Sequence, residues 1–194
     1  YPLSDSIKDY FLRGIKKTDQ FIDEINAQSM YYKQQISEVM FNLLDSHDTE
    51  RILWTANEDV QLVKSALAFL FLQKGTPCIY YGTELSMTGG PDPDCRRCMP
   101  WERVSSDNDM LNFMKIIQIR KHASAIIQHG KYNLQEITQD VVVLEWKYES
   151  RVLKAIFNQS KDDYLLEKET VALASNYQEL ENQLVISPNG FVIF

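Results

Sequence analysis

The stretch FNLLDSHDTER at residues 41–51 decides the expected fold, because an apolar run ends there in a compact polar cluster. Residues 39–44 are apolar at nearly every position, which predicts a β-strand covered on both faces. His47 and Asp48 follow soon after it. In barrels and open sheets of alternating strands and helices, residues at the carboxyl ends of the strands carry the chemistry. His47 and Asp48 are therefore candidates for a functional site.

A second copy of this layout lies downstream, where residues 78–81 predict a strand and Gly82-Thr83-Glu84 forms its polar end. The segment between the two strands predicts a helix that Asn57 caps and Gly75 ends. Its buried stripe consists of apolar residues at helical spacing, namely Val60, Val63, Leu67, Leu70 and Phe71. The sequence therefore predicts a strand-helix-strand unit with polar carboxyl ends.

The flanking segments predict further helices and one long loop. Residues 4–27 repeat apolar side chains at helical spacing, with Gly14 weakening the middle and a fresh helix start at Thr18. Residues 85–107 are rich in Gly, Pro, Asp and Ser, and a loop of this length inside a compact domain is usually functional or mobile. Residues 108–126 predict one more helix.

The pattern changes to an alternation of apolar and polar residues from Tyr132 onward, which predicts β-strands. The clearest candidates are residues 141–146, 152–157, 184–186 and 191–194, with Pro188-Asn189-Gly190 as a turn between the last two. We expect a small antiparallel β-sandwich. The predicted organisation is thus α/β plus all-β in two domains, residues 1–129 and 130–194.

The composition argues against two kinds of partner. A formal net charge of −7 disfavours nucleic acid and anionic membranes, which reward clustered Lys and Arg. No apolar run approaches the ~20 residues that cross a bilayer. We therefore expect no nucleic-acid and no membrane partner. The chain starts Tyr1-Pro2-Leu3 without a Met or a signal-like segment, so we expect an internal piece of a longer protein.

The cysteines favour a reducing compartment, because Cys78, Cys95 and Cys98 are too few for a disulfide framework. The Cys95-Arg96-Arg97-Cys98 spacing occurs in redox and zinc sites. A zinc site would need a second ligand pair, and the three histidines are scattered along the sequence. We expect two thiols in a loop with no metal and no cofactor, and a cytoplasmic protein.

Three motifs together resemble one known family. They are LDSHDTER at residues 44–51, GTPCIYYGTE at 75–84 and GPDPDCRRCMPW at 90–101. Their order and spacing are similar to those of the α-amylase superfamily, glycoside hydrolase family thirteen. Ser46 resembles the neopullulanase, cyclomaltodextrinase and maltogenic amylase group, whereas other α-amylases tend to have Asn at that position.

This resemblance implies a fold and a missing part. The family has a (β/α)8 barrel followed by an antiparallel sandwich, so residues 39–44 correspond to strand seven and 78–81 to strand eight. The chain is then the C-terminal part of the barrel, its last two strands and flanking helices, plus the β-sandwich. The family's nucleophilic Asp and acid/base Glu lie on earlier strands, which places them before Tyr1.

The resemblance also implies a retaining α-glucan hydrolase acting on maltodextrins, cyclodextrins or pullulan. Asp48 corresponds to the third catalytic carboxylate, which stabilises the cationic transition state. His47 donates a hydrogen bond to the same sugar ring, and Asp92 and Arg96 bind the glucose one subsite further from the cleaved bond. The family implies an α-glucan oligosaccharide as partner and often a homo-oligomer, and we expect no metal.

Other interpretations stay open on the residues alone. Asp48 is then a helix cap, His47 a surface residue, and Asp92 with Arg96 a local ion pair. Trp54 and Trp101 either stack on sugars or are buried. A glucan-binding sandwich without catalysis predicts exposed aromatics such as Trp146 and Tyr148 on one face. A thiol-redox or metal protein would use Cys95 and Cys98.

Overall fold

A computed structural model describes residues 2–194. The chain folds into a helical layer, a short two-stranded parallel sheet and a six-stranded antiparallel sheet. The helices are α1 (Pro2–Ile7), α2 (Thr18–Gln28), α3 (Gln34–Ser37), α4 (Ile52–Thr55), α5 (Val60–Phe71), α6 (Asp109–Phe113), α7 (Ile116–His122) and α8 (Ser124–His129). The strands are β1 (Phe41–Asn42), β2 (Thr76–Pro77), β3 (Lys131–Thr138), β4 (Val141–Tyr148), β5 (Arg151–Asn158), β6 (Tyr164–Glu167), β7 (Leu173–Glu179) and β8 (Gln183–Ile193).

The first helical segment is interrupted as the sequence predicts. A π-helical turn at Lys8–Leu12 follows α1, the chain reverses at Gly14 with a φ of +61°, and α2 starts at Thr18. Phe11 and Phe21 are fully buried. Ile15 is 70% exposed, because it lies in the reversal rather than on a helix. Its expected burial is therefore wrong.

The two parallel strands are shorter than predicted. β1 and β2 pair in parallel, with Phe41 opposite Thr76 and Asn42 opposite Pro77. In the described chain β1 and β2 pair only with each other, and Phe41 is 72% exposed, so the expectation of a strand buried on both faces is wrong. The predicted strand at 78–81 is displaced upstream, because the amide of Thr83 bonds the carbonyl of Tyr80 and closes a turn there.

Helix α5 lies between β1 and β2 in the chain and is buried on all sides rather than along one stripe. Every residue from Val63 to Phe71 is buried, whereas Val60, expected in the stripe, is half-buried. Its N-cap is Asp59 rather than Asn57, and the Asp59 carboxylate accepts from the amides of Gln61 and Leu62. Asn57 has a φ of +51°, a left-handed conformation that places it in the turn before the helix.

The predicted helix at 108–126 is three short helices, α6, α7 and α8. Asn108 caps the first, its side chain accepting from the amide of Leu111. The helix is interrupted at Met114 and Lys115 and again at Ala123, so the three short helices do not form one continuous helix. Ile117 is 46% exposed.

The antiparallel tail forms one connected sheet with the order β3-β4-β5-β8-β6, and β7 also pairs with β8. The two predicted strands at 184–186 and 191–194 are a single strand, β8, and Pro188-Asn189-Gly190 lies inside it. The chain does not turn back there, because β7 runs alongside both halves of β8 and Asn176 donates to the Pro188 carbonyl at 2.8 Å. β6 and β7 were not predicted.

The sheet has an apolar core on each face. One core is small and lies between strands of the curled sheet, with Val143, Ile156 and Val192 as members. The other is shared with the helices and centres on an aromatic cluster that we define as Phe11, Phe69 and Phe157. Their ring centroids lie 5.4 to 5.6 Å apart. Such pairs contribute about 0.5–1.5 kcal/mol each beyond area burial.

The described residues include no helix that is both long and apolar enough to cross a membrane.

The segment around β1 leaves large apolar side chains in water. Met30, Val39 and Phe41 are 80%, 71% and 72% exposed. An unpaired strand edge with such residues favours association. We expect the purified 194-residue chain to self-associate and Phe41→Glu to shift it toward monomer, measured by light scattering after gel filtration.

The matched control is Leu180→Glu, which alters a 46% exposed apolar residue between β7 and β8. We expect it to leave the association unchanged. A monomeric wild-type chain at high micromolar concentration would contradict this prediction.

Candidate active site

Hydrogen bonds join the two loops that follow the carboxyl ends of β1 and β2. The amide of Arg51 donates to the Gly89 carbonyl at 3.0 Å, and the Arg51 guanidinium donates to the Tyr81 carbonyl at 2.7 Å. The Thr83 hydroxyl donates to Asp45 at 3.0 Å. Parallel pairing of β1 with β2 places these loops at the same edge, as the two similar motifs predict.

His47 and Asp48 lie together on the first loop and face solvent. His47 Nε2 is 3.2 Å from Asp48 Oδ1, and the two side chains are 64% and 61% exposed. The Ser46 hydroxyl accepts from the Asp48 amide at 3.1 Å, and the Thr49 hydroxyl accepts from the Ser46 amide at 3.1 Å. This tight turn presents the carboxylate and the imidazole outward.

The capping interpretation of Asp48 does not fit this geometry. Helix α4 starts at Ile52, and the Ile52 amide donates to Asp45 Oδ2 at 3.2 Å. Asp45 therefore provides the side-chain cap of α4, a role that the sequence alone also allowed for Asp48. The Asp48 carboxylate stays free to contact a ligand.

Asp92 and Arg96 form an ion pair beside this turn, with Arg96 Nε 2.9 Å from Asp92 Oδ1. The same Nε donates to the His47 carbonyl at 3.1 Å, so the four predicted residues lie in one cluster. The buried Cys95 thiol also approaches the His47 carbonyl, at 3.5 Å. Both side chains of the ion pair are about half exposed, 55% for Asp92 and 48% for Arg96.

Beneath the exposed cluster lies a buried layer that the sequence did not single out as functional. Asp45 and Thr83 are 4% and 3% exposed. Burial raises the pKa of the Asp45 carboxyl group, against the lowering effect of its hydrogen bonds from Ile52 and Thr83. The position of Asp45 at the end of the apolar run was the only signal in the sequence.

The Arg51 side chain packs against two tyrosine rings. Its guanidinium is fully buried and lies over the rings of Tyr80 and Tyr81, at 4.5 and 4.7 Å from their centroids. Burial raises the pKa of Tyr80 to about 12, so this ring stays neutral beside the cation. In residues 2–194 Arg51 Nε and Nη2 and Glu84 Oε2 are buried without a hydrogen-bond partner.

The tryptophans separate into two kinds. Trp54 and Trp101 are 50% and 72% exposed, so neither is a core residue. Trp146 is 3% exposed and its indole donates to the Leu72 carbonyl at 2.8 Å, beneath the helices. The aromatic face expected of a glucan-binding sandwich is therefore absent at Trp146 in the described structure.

Two other features stand apart from the cluster. All three thiols are free, and the described residues contain no group of three His, Cys, Asp or Glu side chains arranged for a metal ion. A groove of 510 Å³ lies at the opposite end of β1, among Tyr31, Tyr132 and Trp146. None of the four predicted site residues lines it.

Parallel strands joined by a helix, with polar loops at their carboxyl ends, define an α/β protein whose site lies at one sheet edge. A profile of the family described as "Alpha amylase, catalytic domain" matches residues 6–126. The chain belongs to the α-amylase family, as its three motifs predict.

Relatives and solved structures agree with this assignment. The intracellular maltogenic amylase of Bacillus subtilis (strain 168) is 39% identical over 162 residues, which is 82% of this chain and 28% of that protein. A cyclomaltodextrinase of Thermoanaerobacter pseudethanolicus is 32% identical over 200 residues, 100% of this chain and 35% of that protein. A solved cyclomaltodextrinase superimposes with a TM-score of 0.80 at 28% identity, covering 100% of this chain and 36% of its own. The chain thus spans about a third of these proteins.

The burial of Asp45 predicts a pH dependence of stability. The folded state holds the Asp45 proton more tightly than the unfolded state, so this residue costs stability as pH rises above its ordinary pKa of 3.8 toward the raised folded value. We expect the free energy of unfolding of Asp45→Asn, relative to wild type, to increase across that window and then level off. Urea unfolding at several pH values measures it.

The control is Asp107→Asn, which changes an exposed carboxylate on the long loop. Its difference from wild type, measured at the same pH values, is the baseline. An Asp45→Asn difference that changes with pH no more than this baseline would show that burial does not perturb the Asp45 carboxyl group.

Proposed function

We propose that the chain is the C-terminal part of a retaining α-glucan hydrolase of the neopullulanase, cyclomaltodextrinase and maltogenic amylase type. The observation that carries the proposal is the exposed cluster of His47, Asp48, Asp92 and Arg96 at the carboxyl ends of β1 and β2. The names of the relatives support the same class of reaction. Its substrates are maltodextrins, cyclodextrins or pullulan.

Asp48 stabilises the transition state. Retaining hydrolysis passes through an oxocarbenium-like state between a nucleophile and an acid/base carboxylate, and a nearby fixed anion favours that cation over the neutral ground state. The tight turn holds Asp48 outward, and His47 beside it donates to a hydroxyl of the same sugar ring. The remainder of the longer protein supplies the nucleophile and the acid/base residue.

Asp92 and Arg96 bind the neighbouring glucose. Their ion pair presents carboxylate acceptors and guanidinium donors side by side, which suits adjacent sugar hydroxyls. The bond from Arg96 to the His47 carbonyl couples this subsite to the loop of Asp48. An ion pair exposed to this degree adds about 0–1 kcal/mol to stability, so a purely structural role gives little advantage.

The organisation we propose follows from the same assignment. Residues 1–129 form the last part of a (β/α)8 barrel, and residues 130–194 form the antiparallel β-sandwich domain that follows the barrel. The partner is an α-glucan oligosaccharide, with neither nucleic acid nor membrane, and the full-length protein is a cytoplasmic homo-oligomer. The name of the Bacillus subtilis relative, intracellular maltogenic amylase, supports the proposed cytoplasmic location.

The alternative is a glucan-binding module that does not cut. The burial of Trp146 argues against a platform on the sheet, whereas the exposed Trp54 and Trp101 keep the alternative open. Glucan binding by the full-length protein without release of reducing sugar would favour it.

We expect Asp48→Asn in the full-length protein to lower kcat by ~10³-fold or more on maltodextrin or cyclodextrin. The substitution removes an anion directed at developing positive charge and leaves the size of the side chain unchanged. Reducing-sugar release measures the effect, and circular dichroism checks the fold. Glu50→Gln, two residues away on the same loop, is the control and should keep kcat. Near-normal turnover of Asp48→Asn would remove Asp48 from catalysis.

We expect Arg96→Ala to weaken long glucans more than the shortest cleavable substrate. Binding energy from a remote sugar supports the reacting centre, so its loss appears only when that sugar is present. Steady-state kinetics across a series of oligosaccharide lengths measures the effect. Arg97→Ala, which breaks a pair with Asp94 instead, is the matched control. An equal loss at every length for Arg96→Ala would refute the subsite.

A further inference from the structure

Asp45 joins two loops that lie far apart in the sequence. Its Oδ2 accepts from the Ile52 amide at 3.2 Å and from the Thr83 hydroxyl at 3.0 Å, a partner 38 residues away. Both Asp45 and Thr83 are almost completely buried. Hydrogen bonds to a buried carboxyl oxygen are costly to lose, because water does not replace the missing donor.

The loop of residues 46–50 lies between two anchored ends. Asp45 fixes the beginning, and Arg51 fixes the end through the Tyr81 and Gly89 carbonyls. In the described structure His47 is the only basic side chain within 4.0 Å of the Asp48 carboxylate, and the Asp48 side chain is 61% exposed. Its position therefore depends on the backbone of the loop more than on contacts of its own.

We propose that Asp45 and Thr83 act as a clamp that positions Asp48 and His47 for the reaction, so that both are positioning residues rather than catalytic ones. This inference rests on the proposed function, because it assigns the clamp to the same site. The clamp works through geometry: it holds the loop after β1 against the loop after β2 at a fixed separation.

The hydroxyl of Thr83 is the part of the clamp that a substitution removes most cleanly. Valine has nearly the same shape and lacks the donor, so Thr83→Val leaves Asp45 Oδ2 with the Ile52 amide alone. Serine keeps the donor and loses a methyl group. A role in packing depends on the methyl group, whereas the clamp depends on the hydroxyl.

The test uses the full-length protein with maltodextrin or cyclodextrin as substrate. We expect Thr83→Val to lower kcat by about tenfold with KM changed less than about twofold, because displacement of Asp48 affects the transition state more than ground-state binding. Thr83→Ser should recover kcat to within about threefold of wild type. A Thr83→Val enzyme with wild-type kcat, or a Thr83→Ser enzyme as slow as Thr83→Val, overturns the clamp.

A double-mutant cycle separates the clamp from independent effects. If Asp45 and Thr83 act as one unit, Asp45→Ala, which removes the accepting oxygen, combined with Thr83→Val should lower kcat no further than the more damaging single variant. If the kcat losses of the two single variants multiply in the double variant, the proposal is wrong. If Thr83→Val does not fold, Thr83→Ala replaces it in both experiments.

Measuring the turnover of Asp48→Asn in parallel distinguishes failure of the clamp from failure of the proposed function. If Asp48→Asn loses turnover while Thr83→Val keeps it, the clamp is wrong and the proposed function stands. If Asp48→Asn keeps turnover, the proposed function itself fails, and the clamp with it.

Discussion

The packing of Phe11, Phe69 and Phe157 supports the rest of the structure. These rings come from the first helical segment, from α5 and from β5, so one aromatic cluster joins the helical layer to the antiparallel sheet. Each ring is nearly or fully buried, and truncating such a side chain typically costs about 3–5 kcal/mol. The two parts of the chain consequently share a core, although they differ in secondary structure.

The candidate site depends on this core through α5. The aromatic cluster fixes α5, which joins β1 to β2 and so sets where their carboxyl ends meet. Only a few bonds then bring the loops together, from Asp45, Arg51 and Thr83. The exposed groups lie above this buried layer. A rigid base beneath solvated side chains suits the proposed glucan site, which has to keep its geometry while a polar ligand binds.

Local sequence patterns predicted an element correctly where interactions between neighbouring residues form that element. Strands β4 and β5 and helix α5 follow from the pattern of neighbouring residues, and all three elements were found. Failures occurred where distant contacts decide. Pro188-Asn189-Gly190 resembles a turn, yet pairing with β7 carries the strand through it. One failure was local instead, because residues 78–81 resemble a strand, yet the Thr83 amide bonds the Tyr80 carbonyl and a turn ends the pairing.

The sequence by itself determined the family, because motifs such as LDSHDTER lie in contiguous residues, and it singled out the four candidate residues, whose roles stay a prediction. Only the tertiary structure decided that Asp45 caps α4 and meets Thr83, and that Arg96 reaches the carbonyl of His47. These contacts join residues up to 49 positions apart. Burial and long-range hydrogen bonding depend on how the loops are brought together, and no local pattern encodes that arrangement.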